Sequence, residues 1–473
     1  MNKILERIKK EFNKTPDLDI KEIKINLFEK IYVVFLETIC DSNRINDYIL
    51  KNLTNYKNSN NLNSNIPGPN TIKIKNYDEI EFFLTNGFAI IIKKDECFAV
   101  EVKGELSRSI STSTREPSLL GPEDSFVENY QTNIGLIKRR IKTNTLKTEE
   151  IVLGRKTKTK VGILYLEDVA RIDNVNKIID KLKEVDTDGI IDVGNIIHFL
   201  QKENKTVFPT IKRTERPDVV STDILEGKIA IIVDTSPFAL LLPSFLVDFI
   251  NPTSDNYLKS LNVAFIKILR LICFILSITA PAIFISIINY NQETIPTSLL
   301  INFSMQRSGV PFPSIVELLI MLLICDILRE SDLRFPSNFG STISILGALI
   351  IGEAAVNAGI VSPIMIIITS LTFICSLIFT ELELNNAIRY YRYIFLFFAS
   401  ILGLFGFFIA SILFLINLIS IKSLNSPYLA PISPFDKVYL YKTILKKQDV
   451  KNNKRSRLLT KTNLTKGRIK WKK

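Results

Sequence analysis

One histidine, five cysteines and a scatter of acids are the residues of this 473-residue chain that could carry chemistry. His198, in GNIIHFLQ, lies on an expected helix with no second His or Cys at metal-ligand spacing, so it reads as an ordinary, partly buried side chain. Cys40, Cys97, Cys273, Cys325 and Cys375 form no CxxC pair, and the last three sit within apolar runs, which argues against both zinc and disulfides. No Walker loop, no GxGxxG after a strand, no GxSxG and no HExxH is present. The adjacent carboxylates Glu149-Glu150 and Glu167-Asp168 stand among lysines on polar segments, where solvation is expected and not acid/base catalysis. These residues ask for no catalytic, metal or cofactor chemistry, and an enzyme is not expected.

A second group of ionisable residues is harder to dismiss. Residues 311–363 read as membrane, yet they carry Glu317, Asp326, Arg329, Glu330, Arg334 and Glu353. On a helix, Ser341, Ser344, Ala348, Gly352, Ala355 and Gly359 fall within a stripe about 80° wide, every member small. The opposite face carries Glu353 and Asn357, one turn apart. Small residues let another helix approach closely. An acid at membrane depth is costly unless it meets water, a partner or a proton. Ser344, Ala348, Gly352, Glu353, Ala355, Asn357 and Gly359 are therefore pore or gating candidates. Either the small stripe or the acidic face could line a conduit.

The elements that would position these groups divide the chain in two. At 47% hydrophobic and 23% charged, it is too long for one ordinary core and locally too apolar to be wholly soluble. A membrane domain is expected over 256–422, with spans at about 265–289, 341–360, 363–381 and 393–421. Residues 311–330 begin with Pro-Phe-Pro and bear Glu317 midway, so they are expected as a re-entrant or interfacial helix. The amino terminus has charges where a secretory signal needs an apolar core, which keeps the first half in the cytoplasm. That half is expected as two small α/β or α+β subdomains, 1–65 with its linker and 66–255. Its markers are a strand-helix unit at 29–53, a hairpin across Lys93-Lys94-Asp95-Glu96, and a strand and amphipathic helix over 158–186. Residues 228–250 are expected as a last strand ending at Asp234 and a segment resting on the membrane surface.

The net charge is +12, but residues 437–473 hold 14 Lys and Arg against one Asp. The region 423–473 is thus expected as a basic cytoplasmic tail beside anionic lipid headgroups, not as a nucleic-acid binder. Both termini inside require an even number of spans.

The motifs resemble those of the A subunit of the spore germinant receptors, the GerA family, over about residues 75–435. The likeness is carried by SRSI at 107–110, GPEDSFVENYQTNIGLIKRRI at 121–141, TERPD at 214–218, EGKIAIIVDTSPFALLLPSFLVDF at 226–249, VPFPSIVELL at 310–319, and ILRESDLRFP followed by SILGALIIGEAAVNAGIVSP. Glu123 stands where the family usually has Arg. The resemblance implies an oligomeric subunit of a complex in the inner spore membrane, working with a transporter-like B subunit and a lipoprotein C subunit, and opening an ion pathway when nutrient binds. Alternatives are a non-conducting scaffold that docks partners, or the related accessory protein of the dipicolinate-release operon. Arg139, Arg140, Arg213, Arg216 and Asp218 match family motifs and, with Glu317, Arg329, Glu330 and Arg334, are candidates for contacts between domains or subunits, the bland alternative being bracing within one domain.

Overall fold

The computed structural model describes residues 3–26, 29–54, 71–74, 76–93, 96–104, 116, 121–201, 206–252, 255, 257–258, 260–334, 352–437, 439–440, 454–460 and 463–466. The candidates Ser344 and Ala348, the SRSI motif and most of the expected 341–360 span lie outside them.

Strands β1 (Leu18–Asn26), β2 (Glu29–Leu36), β3 (Thr71–Ile74), β4 (Phe88–Lys93) and β5 (Glu96–Glu101) form one sheet in the order β1-β2-β4-β5-β3. The hairpin expected between β4 and β5 forms, with Lys93 opposite Glu96. β2 pairs with β4 across the sheet centre, so the expected boundary at 65 falls inside this first unit and is corrected to the segment after Gly104. Strands β6 (Leu146–Leu153), β7 (Thr159–Leu166), β8 (Lys212–Thr214), β9 (Ile229–Val233) and β10 (Ala239–Leu242) form a second sheet, β6-β7-β9-β10-β8. All the pairings in both sheets are antiparallel, which selects α+β from the two expected classes.

The second sheet is covered on both faces, which is why IAIIV in β9 is apolar without alternation. Val161, Ile163, Ile229, Ile231 and Val233 pack against the helices Ile172–Lys183 and Val193–Leu200. Leu164, Ala230, Ile232 and Leu241 pack on Tyr130–Lys138 and Pro217–Glu226. Residues expected to rest on the membrane surface instead turn back as β10 and the buried helix Leu246–Ile250.

The helical half is a bundle whose near end abuts the second sheet. The helix Ser260–Tyr290 runs away from the soluble region, and Ser314–Arg334 returns, since Ser314 Oγ donates to Asn289 at 3.1 Å and Tyr393 Oη to Asp326 at 2.7 Å. Ser314–Arg334 is thus a 21-residue member of the bundle, with Leu318 and Leu322 fully buried, and not a peripheral helix. Pro363–Leu377 also runs toward the near end, where Phe379 meets Phe274.

The run 393–421, expected as one span, is two antiparallel helices joined at Gly403 (φ 60°, ψ −139°). Tyr391 Oη reaches Asn417 at 2.9 Å, and the Phe395 and Phe414 rings are 5.7 Å apart. At the tip, Tyr290 Oη donates to the carbonyls of Ser400 (2.6 Å) and Ile401 (3.1 Å), and a Cβ on Gly403 would lie 2.8 Å from Tyr290. Glycine is required there twice over, for its left-handed backbone and for that approach.

Pro281, inside Ser260–Tyr290, has no N–H to offer the carbonyl of Ser277 one turn earlier, a change that costs a helix about 3 kcal/mol or more. The Nε of Arg392 donates to that carbonyl at 2.8 Å.

After the hairpin the chain weaves back into the soluble region. Ser423 Oγ donates to Thr210 O at 2.6 Å, Leu246 N to Tyr428 O at 3.1 Å, and Phe208 stacks on Tyr391 at 5.3 Å. The described part of the tail is docked and not free: Arg455 Nε donates to Leu225 O at 2.9 Å, Lys466 pairs with Glu226, and Leu459 is buried beside Gly227. Two cations on the carboxyl end of Pro217–Glu226 suit its dipole.

Candidate functional site

Residues 352–357 are helical and end in a turn at Gly359, whose φ of +68° and 3.4 Å approach to the Gly309 carbonyl suit glycine. Gly352 and Ala355 are buried, and Ala355 packs with Leu318, Leu322, Val361 and Met365. These two small residues therefore face the bundle, whereas Ala354 and Ala358 are exposed. Glu353 and Asn357 are exposed on the other side, and the Glu353 carboxylate has no hydrogen bond or ion pair among the described residues.

Ser362 then caps Pro363–Leu377, and Pro363 opens it without losing a needed donor. Glu317 is 0% exposed; its Oε2 accepts from Ser362 N at 3.1 Å and Ser362 Oγ at 2.8 Å, and its Oε1 is 3.5 Å from Arg307 Nε. A carboxylate at the positive end of a helix, with a guanidinium alongside, is stabilised by both. The VPFPSIVELL and GIVSP motifs thus meet in one latch at the far end of the bundle.

Of the other charges in this helix, Arg329 donates to Ser376 Oγ at 3.2 Å, and Glu330 pairs with Arg334 at 2.7 Å on an exposed surface. Both contacts lie within one chain.

The soluble candidates separate. Arg216 makes two bonds to Asp218, at 3.0 and 2.7 Å, with both side chains buried. Tyr257, just before the first bundle helix, donates to Asp218 at 2.7 Å, so this pair joins the soluble region to the bundle. A Cβ on Gly121 would lie 2.6 Å from the Tyr257 ring, which accounts for the glycine of GPED. Arg140 pairs with Asp124 within the domain, and Arg213 lies over Phe238 at 5.7 Å. Arg139 is exposed and has no side-chain partner among the described residues.

Three groups escaped sequence reasoning. Lys228 is 2% exposed between Asp223 at 3.1 Å and Asp248 at 2.8 Å. Burial opposes its charge, but the two carboxylates outweigh it and hold its pKa above the ordinary lysine value. Asp17 and Lys138 pair at the junction of the two sheets, where Thr38 also donates to Asp17 at 2.5 Å; burial would raise the Asp17 pKa, but Lys138 and Thr38 lower it. Between bundle and soluble region, burial pushes the Glu381 carboxyl up to about 7, with Glu116 and Glu383 adding to the effect and Lys212 opposing it. Only Lys228 had a sequence signal, a lone lysine inside the apolar EGKIAIIV run.

The molecule is a two-sheet α+β region carrying a bundle in which the helix Asn262–Tyr290 and the helical run Leu382–Ser420, folded back at Gly403, are long and apolar enough by composition to cross a membrane. It is of the polytopic membrane class, with a large soluble amino-terminal region. Residues 6–458 match the family described as Bacillus/Clostridium GerA spore germination protein, and the chain belongs to that family. It is 35% identical to spore germination protein KA of Bacillus subtilis over 438 residues, 90% of this chain and 80% of that one. It is 33% identical to spore germination protein XA of Bacillus anthracis, covering 85% and 84% of the two chains. An uncharacterized membrane protein, YfkQ of Bacillus subtilis, is 37% identical over 336 residues, covering 71% of this chain and 66% of that one. Among solved structures, the N-terminal domain of the A subunit of the Bacillus megaterium spore germinant receptor GerK3 is similar, with a TM-score of 0.40 and 30% identity, covering 52% of this chain and 95% of that one.

Proposed function

We propose that this chain is the membrane subunit of a germinant receptor that triggers spore germination, and that several copies surround an ion pathway in the inner spore membrane. One observation carries the conducting part of this reading: Glu353 and Asn357 are exposed while Gly352 and Ala355 of the small stripe are buried. A carboxylate facing acyl chains is costly, so its outward position favours a watery axis shared with other copies. The partners in this reading are a transporter-like B subunit and a lipoprotein C subunit, with the soluble region and the tail in the cytoplasm. The bundle legs support that sidedness. The chain enters the bundle beside the soluble region and returns to it after the second hairpin arm, where Ser423 Oγ donates to Thr210 O, so both ends of the bundle lie on one side. Nutrient binding to the complex acts by favouring the open arrangement over the closed one.

The test is ion flux through the purified oligomer in liposomes, comparing wild type with Glu353→Gln and Gly352→Leu. Both variants are expected to alter conductance. Unchanged flux in both removes this helix from the pathway and leaves the scaffold role.

A further inference from the structure

The cations and carboxylates of the bundle do not match. From residue 260 to residue 421 the chain has Lys267, Arg270, Arg307, Arg329, Arg334, Arg389 and Arg392 as cations, and Glu293, Glu317, Asp326, Glu330, Asp332, Glu353, Glu381 and Glu383 as anions. Arg270 is held by Asp255, Arg307 lies beside Glu317, and Arg334 pairs with Glu330. Arg329, Arg389 and Arg392 have no carboxylate within 4 Å among the described residues. The undescribed stretch 335–351 contains no Asp or Glu that could supply one.

These three cations are neighbours. Asp326 and Arg329 are one turn apart on Ser314–Arg334, and Arg389, Arg392 and Tyr393 share one side of the first hairpin arm. The Tyr393–Asp326 bond of 2.7 Å brings the two sides together. Arg392 is 2% exposed, and its single partner is the Ser277 carbonyl, bonded through Nε; its terminal N–H groups are bonded to nothing among the described residues. Arg329 reaches Ser376 Oγ through one nitrogen, and Arg389 reaches Asn386. Three guanidiniums share one aspartate that is itself bound to a tyrosine. Buried charge of this kind is normally paired, and guanidinium forks fit the oxygens of a phosphate.

We propose that Arg329, Arg389 and Arg392 form a phosphate-binding site between Ser314–Arg334 and the first hairpin arm, occupied by the headgroup of an anionic phospholipid of the near leaflet. Arg389 is partly exposed, its neighbour Tyr390 is exposed, and Leu323 and Ile327 on Ser314–Arg334 present exposed apolar surface. Arg392 lies ten residues from the start of its helix, about 15 Å along the axis, within reach of a headgroup drawn inward between helices. The phosphate could also be free in solution, and the experiment separates the two sources. The inference rests on the bundle alone and stands whether or not the oligomer conducts.

The full-length protein is to be reconstituted with equal phosphatidylglycerol and phosphatidylcholine, and the lipid that stays bound measured by native mass spectrometry. Wild type is expected to retain phosphatidylglycerol in preference, by about fivefold for each guanidinium engaged. Arg329→Gln and Arg389→Gln are each expected to lower that preference, while Arg334→Gln, at an exposed pair, leaves it unchanged. Arg329→Lys tests fork geometry without removing charge and is expected to fall between wild type and Arg329→Gln. In lipid-free detergent, inorganic phosphate is titrated against the melting temperature. A rise lost in Arg329→Gln, with no lipid preference, identifies free phosphate as the occupant and overturns the lipid assignment. No preference in wild type and no phosphate effect overturns the site.

Discussion

The soluble region and the bundle handle buried charge in opposite ways. In the soluble region most buried cations sit against carboxylates, Arg216 on Asp218, Lys138 on Asp17, and Lys228 between Asp223 and Asp248, while Lys212 bonds the Asp248 carbonyl. In the bundle the buried charges lean on hydroxyls and carbonyls: Glu317 on Ser362, Arg329 on Ser376, and Arg392 on the Ser277 carbonyl. Ion pairs of the first kind are costly to break and hold one geometry. Single hydrogen bonds of the second kind contribute less each and can be exchanged one at a time.

The largest test of this contrast is Lys228→Leu. It strands Asp223 and Asp248 without their cation and is expected to cost about 3–5 kcal/mol in denaturant unfolding. A cost below about 1 kcal/mol would show that water replaces the lysine and that the soluble network is no tighter than the bundle's.

The pH dependence should run in two directions. Asp17 has a depressed pKa, so its contribution is present above its ordinary value of 3.8 and is lost as pH falls below it. Glu381 has a raised pKa, so its ionisation opposes the native packing as pH climbs from its ordinary 4.5 toward about 7. Melting of wild type should weaken over that upper window, and Glu381→Gln should flatten it. Asp17→Asn should flatten the acid limb instead.

Within the bundle, Glu317→Gln keeps a hydrogen-bond acceptor for Ser362 but removes the charge that meets Arg307 and the helix dipole. A loss of about 1–2 kcal/mol in lipid is expected, read by thermal unfolding. A double-mutant cycle between Pro281→Ala and Arg392→Gln should give a coupling of about 1 kcal/mol, because alanine restores the N–H that the Ser277 carbonyl lacks. Additive effects would mean that Arg392 does not serve that carbonyl. The smallest effect belongs to Arg334→Ala, whose exposed pair with Glu330 should change stability by less than about 0.5 kcal/mol.

Much of this architecture was legible because its signals are local. The β4–β5 hairpin announces itself through a short polar turn between apolar runs, and Ile172–Lys183 through Ile178 and Leu182 at helical spacing. Spacing places Glu353 opposite the small residues but does not say which of the two faces turns outward. What was not legible depends on partners distant in the chain. Nothing near Val33 says that it will pair with Ile91, so the domain boundary was set too early. Gly403 is one of two glycines in 29 uncharged residues, and Tyr290, packed against it, marks where the run folds back. Glu317 and Ser362 are 45 residues apart, and the tail reads as loose basic charge until the carboxyl end of Pro217–Glu226 is seen beneath it.

The perch of Tyr290 under the hairpin tip has a mechanical consequence. The first bundle helix and the hairpin are fastened at the far end through Ser400 and Ile401 and at the near end through Phe208, Tyr391 and Tyr428. That trio of legs is a strut rooted in the second sheet. Ser314–Arg334 and Pro363–Leu377, yoked to each other by Glu317 and Ser362, lean on that strut through Ser314 on Asn289 and Tyr393 on Asp326, so any displacement of the yoked pair must break those two bonds.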